Sequence, residues 1–179
     1  MKKFKLTEEQ TTLPNGVVVY RIEALKDFAS IKEGEKGGWI EKENNLSQNG
    51  DCWVRENAEI RENAEVYENA LVRGSAVVCG SAEVSGYARV SDNALVCGSA
   101  EVRGSAEVSG YAEIRENADY FFCINNISSG RNITYTKSNG MWKTGCFYGT
   151  GEELIKKAGN DSEEKGKWFE KIVNFIENK

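Results

Sequence analysis

Between Cys52 and Ala118 the chain repeats every six residues without a break. Alanine fills one position of each hexapeptide from Ala58 to Ala118. Valine or isoleucine fills a second, from Val54 through Val84 and Val90 to Ile114. Residues six apart fall on different faces of an α-helix, so this pattern cannot give a helix one apolar side. Ordinary hairpins place their turn signals further apart. A three-sided coil satisfies the repeat. Each hexapeptide supplies one short strand and one corner, and three make a turn. Valine points inward from the flat side and alanine packs inward near the corner. The corners are Gly-Ser, Glu-Asn, Gly-Tyr and Asp-Asn pairs, all turn-forming. Eleven hexapeptides make just under four turns, a rod of about 18 Å at roughly 4.8 Å per turn.

The V-x-x-x-A-x pattern resembles the hexapeptide-repeat family of left-handed parallel β-helices, and the left hand is what that resemblance implies. Ala24-Leu25-Lys26-Asp27-Phe28, Gly37-Gly38-Trp39-Ile40 and Asn45-Leu46-Ser47 through Trp53-Val54 are similar to the cap of YdcK-like proteins of enterobacteria, phages and prophages. The expected fold is mainly β: a parallel β-helix with an N-terminal β cap and a C-terminal α+β tail. The expected divisions are 1–51 for the cap and an irregular first turn, 52–118 for the solenoid and 119–179 for the tail.

Open solenoid ends need covering. Val17 to Ile22 reads as a strand after the Pro14-Asn15-Gly16 turn. Ile40 and Leu46 fall in phase with Cys52 and Ala58, the alanine slot, which suggests an extra turn within 30–51. In the tail, Tyr120 to Ile124 reads as a strand. Asn132–Thr136 and Trp142–Tyr148 flank the Ser138-Asn139-Gly140 turn as a hairpin. Thr150-Gly151-Glu152-Glu153 is a capping box opening one helix. A second begins near Asp161, with Trp168, Phe169, Ile172, Val173 and Ile176 at helical spacing. The tail is similar to a module at the C-termini of phage proteins, carried here by Gly145-Cys146-Phe147 and Gly149-Thr150 through Glu153, with Gly151 where that module has leucine.

The chain has no histidine. Hexapeptide-repeat acyltransferases use a histidine base and hexapeptide-repeat carbonic anhydrases bind zinc through histidine, so neither set of residues carries over. The expectation is therefore of a protein that is not an enzyme and needs no cofactor or metal. The basic start is followed by polar Thr7-Glu8-Glu9-Gln10 rather than an apolar stretch, and no run is long enough to span a bilayer. A cytoplasmic, non-membrane protein is expected, its five cysteines reduced and its Asn-x-Ser/Thr sequons, such as that at Asn45, unused.

Residues one turn apart stack. Val77 and Leu95 form one outward row and Cys79 and Cys97 the next, flanked by Glu59, Glu113, Arg61 and Arg115. This apolar patch predicts a homo-oligomer contact, most simply a trimer. Glu65, Glu83 and Glu101 form a ladder read as a solvated face with Tyr67 and Arg103 beside it. Residues 52–118 hold 11 acidic residues against 6 arginines, too acidic for nucleic-acid binding and too sparse for DNA mimicry. For a ligand or partner, the tail offers Arg131, Lys137, Trp142 and Lys143 near one hairpin, leading into Thr150 at a helix start. Cys146, beside that hairpin, is expected to be buried. The functional expectation is a non-catalytic phage or prophage protein that binds and antagonises a host defence component. The alternatives are sequestration of a small anionic ligand, phosphorylated or nucleotide-like, and acyl transfer without histidine.

Overall fold

The computed structural model describes residues 2–124 and 132–177 and divides into two compact units, Met1–Asn117 and Ala118–Lys179. In the first unit, β1 (Phe4–Thr12), β2 (Val18–Ala24) and β3 (Lys36–Ile40) form an antiparallel cap. Eleven two-residue strands follow, one per hexapeptide: β4 (Trp53–Val54), β5 (Glu59–Ile60), β6 (Glu65–Val66), β7 (Leu71–Val72), β8 (Val77–Val78), β9 (Glu83–Val84), β10 (Arg89–Val90), β11 (Leu95–Val96), β12 (Glu101–Val102), β13 (Glu107–Val108) and β14 (Glu113–Ile114). They coil into three parallel faces, ordered β4-β7-β10-β13, β3-β5-β8-β11-β14 and β6-β9-β12. The expected mainly β solenoid is the fold.

Its core follows the two repeating positions. Val54, Ile60, Val72, Val78, Val84, Val90, Val96, Val102, Val108 and Ile114 are completely buried, as are Ala58, Ala64, Ala70, Ala76, Ala82 and Ala88. β-Branched side chains fill the flat sides and alanine lets the chain turn tightly beside them. Each corner bonds to the next turn: Arg61 N–H donates to the Val78 carbonyl at 3.0 Å and Asn63 N–H to the Gly80 carbonyl at 2.8 Å.

The corners need a left-handed residue. Gly80 has φ 72°, and a Cβ there would lie 2.8 Å from the Gly98 backbone nitrogen. Glu56, Glu62, Glu68 and Asp92 occupy the same kind of position with φ between 58° and 63°. Each places its carboxylate on the backbone N–H of the glycine one turn on: Gly74, Gly80, Gly86 and Gly110. These corner acids therefore serve the backbone.

The first turn is irregular, but in a different slot from the one its phase suggests. Ile40 pairs with Ile60 and Leu46 bridges to Val66, so both occupy the valine position, not the alanine position. The loop through Gly50 and Asp51 holds the extra residues and shifts the phase. Gly37 and Gly38 run against this turn; a Cβ would lie 2.6 Å from the Val54 carbonyl oxygen at Gly37 and 2.7 Å from that of Ala58 at Gly38. Lys3 closes the end. It is 1% exposed, and its Nζ donates to the carbonyls of Cys52 at 2.9 Å and Gly50 at 3.3 Å and lies 3.1 Å from Cys52 Sγ. β1, too polar for its sequence to suggest a strand, pairs along β2.

The second unit is an antiparallel sheet of β15 (Tyr120–Ile124), β16 (Asn132–Thr136), β17 (Met141–Thr144) and β18 (Phe147–Gly149), followed by α1 (Gly151–Asp161) and α2 (Glu163–Ile176). Ile133, Tyr135, Trp142, Leu154, Ala158, Phe169 and Val173 form its core. The expected strand 142–148 is two strands, broken at Gly145, whose φ of 54° turns the chain. Cys146 sits at that turn and is exposed, which corrects the expectation that it is buried. Among the described residues, no helix is long and apolar enough to cross a membrane.

Candidate functional site

Among the described tail residues, Thr150 lines a cavity of about 370 Å³ with Tyr135, Asn139, Gly140 and Glu177, and Trp142 does not. Trp142 is completely buried in the core of its unit, against Tyr135 at a ring separation of 4.8 Å, and its indole N–H donates to Glu177 at 2.8 Å. Tight packing takes it from the surface on which it was expected to stack a ligand. The backbone N–H of Thr150 donates to Glu153 at 2.8 Å, and its hydroxyl accepts from the Glu153 N–H at 3.3 Å. The capping box thus forms as the sequence reads, and with Glu152 it already answers the positive end of α1. Lys137 is exposed and Lys143 half-buried. Arg131 lies outside the described residues.

The apolar row on the face of β5, β8, β11 and β14 is narrower than its sequence suggests. Val77, Cys79 and Leu95 are half-buried, while Cys97 is only 7% exposed. Arg115 reaches back along the face to bring Nη1 within 3.6 Å of Cys97 Sγ. Burial pushes the Cys79 thiol up, and Arg61 beside it works in the opposite direction. On the third face the Glu65–Glu83–Glu101 ladder is compensated: the Tyr67 hydroxyl donates to Glu83 at 2.7 Å, and Arg103 pairs with Glu101 and lies 3.8 Å from Glu83.

The distinctive surface is the face of β4, β7, β10 and β13. Its outward residues are Trp53, Leu71, Arg89 and Glu107 in one row, and Arg55, Arg73, Ser91 and Ser109 in the next. Two aromatic corners bracket it. Tyr87 leads into β10 and is 68% exposed; Tyr111 leaves β13 and is 77% exposed. Arginine and tyrosine are the residue types enriched where protein surfaces meet. At the N-terminal end, the Ala29-Ser30-Ile31 loop overhangs the face, leaving a groove of about 320 Å³ lined also by Trp53, Arg55, Leu71, Tyr87 and Arg89. Arg55 and Arg73 stand 18 residues apart and so stack in the sequence, with Arg89 in the neighbouring row. The overhanging loop was not visible there, because its approach depends on the irregular first turn.

Among the described residues, no cluster of three or more cysteine, aspartate or glutamate side chains could hold a metal ion. No family model matches the chain. A 67-residue stretch is 34% identical to the uncharacterized acetyltransferase YdcK of Escherichia coli K12 and covers 34% of this chain. The match spans 21% of that relative, about a fifth of its length. This likeness and the solenoid together fit the hexapeptide-repeat family. They also correct one expectation. The lack of histidine pointed away from an enzyme, but the similar protein bears the name of an acetyltransferase, so enzymatic activity stands open. Histidine is one kind of base, and carboxylates are another that the solenoid carries.

Proposed function

We propose that this protein is a phage or prophage recognition factor that binds a host component, in the concrete case one of its defences, through the arginine–tyrosine face of the solenoid. The supporting observation is the bracketing of Arg55, Arg73 and Arg89 by the exposed rings of Tyr87 and Tyr111. The origin rests on the resemblance of the tail to phage modules. Self-association into a trimer through Val77, Cys79 and Leu95 belongs to the same proposal and leaves this face open, since the two lie on different sides of the coil. The test is photo-crosslinking from position 111 in host lysate, with identification of the adduct and comparison with Arg73→Glu. One dominant host protein, retained at least tenfold less by Arg73→Glu, is the expected result. Equal retention by the variant overturns the proposal.

Acyl transfer is a second reading, favoured by the name of the similar E. coli protein. Release of free thiol from acetyl-coenzyme A in the presence of host extract would support it. Absence of release above the protein-free rate would oppose it.

A further inference from the structure

The groove under the 29–31 loop differs from the rest of its face. Leu71 gives it an apolar floor, backed by the buried Trp53, and Ile31 closes one wall. Arg55 is held in place from Nη2, which donates to Ser30 Oγ at 2.9 Å, while its Nε is buried without a hydrogen-bond acceptor. The Nε of Arg55 and the indole N–H of Trp53 are buried without hydrogen-bond partners behind the groove, so charge rather than these donors is what the groove presents. Arg89 lies on the opposite side. Its approach to Glu107 is 3.8 Å with 63% of the side chain exposed, a loose pair that a better acceptor displaces. Tyr87 stands open at the rim.

We infer that this groove anchors an acidic peptide segment of the partner, with one large apolar side chain seated on Leu71 and the flanking carboxylates taken by Arg55 and Arg89. The inference rests on the reading of this face as the recognition surface and names the chemistry it selects. Two arginines against Asp51 leave the groove cationic, and guanidinium groups pair with carboxylates in fixed geometry. The volume is at the low end for small-molecule sites, which enclose most of their ligand, and Tyr87 leaves this groove open. A nucleic acid would bring a continuous row of phosphates past a solenoid that carries 11 acidic residues against 6 arginines between 52 and 118. A short acidic segment meets the two arginines against a single carboxylate, Asp51.

The test is calorimetric titration of the full chain with a blocked hexapeptide of glutamates around a central phenylalanine. The same peptide with lysines and a single-stranded oligothymidylate serve as comparisons. The glutamate peptide should bind and the other two should not. Arg89→Ala and Leu71→Asp, each checked for an unchanged circular dichroism spectrum, should weaken it at least tenfold, whereas Arg103→Ala, on the β6-β9-β12 face, should leave it unchanged. Equal affinity for the Arg89→Ala variant, tighter binding of the oligonucleotide, or no binding of the glutamate peptide overturns the inference. The two ideas fail separately. If Arg73→Glu loses the crosslinked host protein while the groove variants keep it, the face stands and the groove falls. If Arg73→Glu keeps it, the face reading itself falls.

Discussion

The carboxylate of Glu62 accepts a hydrogen bond of 2.6 Å from the backbone N–H of Gly80, one full turn further along the coil. Glu62 itself holds φ 59°, a conformation that costs a non-glycine residue about 1 kcal/mol or more. The bond offsets this strain. Glu62→Ala keeps the strain and loses the bond, so it should destabilise by about 1 kcal/mol. Glu62→Gly loses both and should lie close to the parent. Urea unfolding that finds Ala as stable as Glu would show that the bond contributes nothing.

Val90 is completely buried at the middle of its face. Val90→Asp would place an unpaired carboxylate among valines and alanines, a cost of several kcal/mol. Loss of the cooperative thermal transition is expected. By contrast, Glu83→Gln can still accept from Tyr67 and should change stability by less than about 0.5 kcal/mol.

Leu95 is half-buried beside Val77 on the face proposed for self-association. Leu95→Glu should convert trimers to monomers in light scattering, since a charge would be trapped in the contact. A monomeric parent removes the idea without affecting the proposed recognition face.

Alkaline pH probes the thiols. Burial holds Cys52 and Cys79 above the usual thiol value of 9.0, more than the neighbouring cations lower them. The unfolded chain releases these protons first, so stability present below pH 9 falls as pH rises toward the folded values. Lys3 acts in the other direction: burial lowers its pKa from 10.5, so stability rises with pH in the window below that value. Cys79→Ala removes one contribution of the first kind. Its melting temperature should fall less than the parent's between about pH 8 and about pH 10. An identical fall in the two would rule out a folded-state shift at Cys79.

The solenoid was legible because one period governs both its chemistry and its geometry. Val84 and Ala88 are buried for the same reason that Val66 and Ala70 are. Where the period stops, the reading weakened for identifiable reasons. Ile40 kept its phase with Cys52 in sequence, yet the loop at Gly50 moved it to a different slot. β1 has little apolar patterning because its hydrogen bonds to β2, rather than burial, make it a strand. Trp142 looked like an exposed platform beside lysines. Its partner, Glu177, is far along the chain, and no local pattern reports that pairing. Tyr87 and Tyr111 read as corner substitutions, and only their position on opposite edges of one face gives them a joint meaning.

The bonds from each corner to the next make the coil a counting device. An insertion of one whole turn would keep every valine inward and every row aligned, lengthening all faces alike. An insertion of a single hexapeptide would also pack, but it would transfer every later residue to the neighbouring face. Tyr111 would then no longer share an edge with the face that Tyr87 introduces, and the chain would leave the coil from a different side. Relatives of this protein can therefore change length freely only in steps of three repeats. A step of one or two would conserve the fold while rewriting its surface.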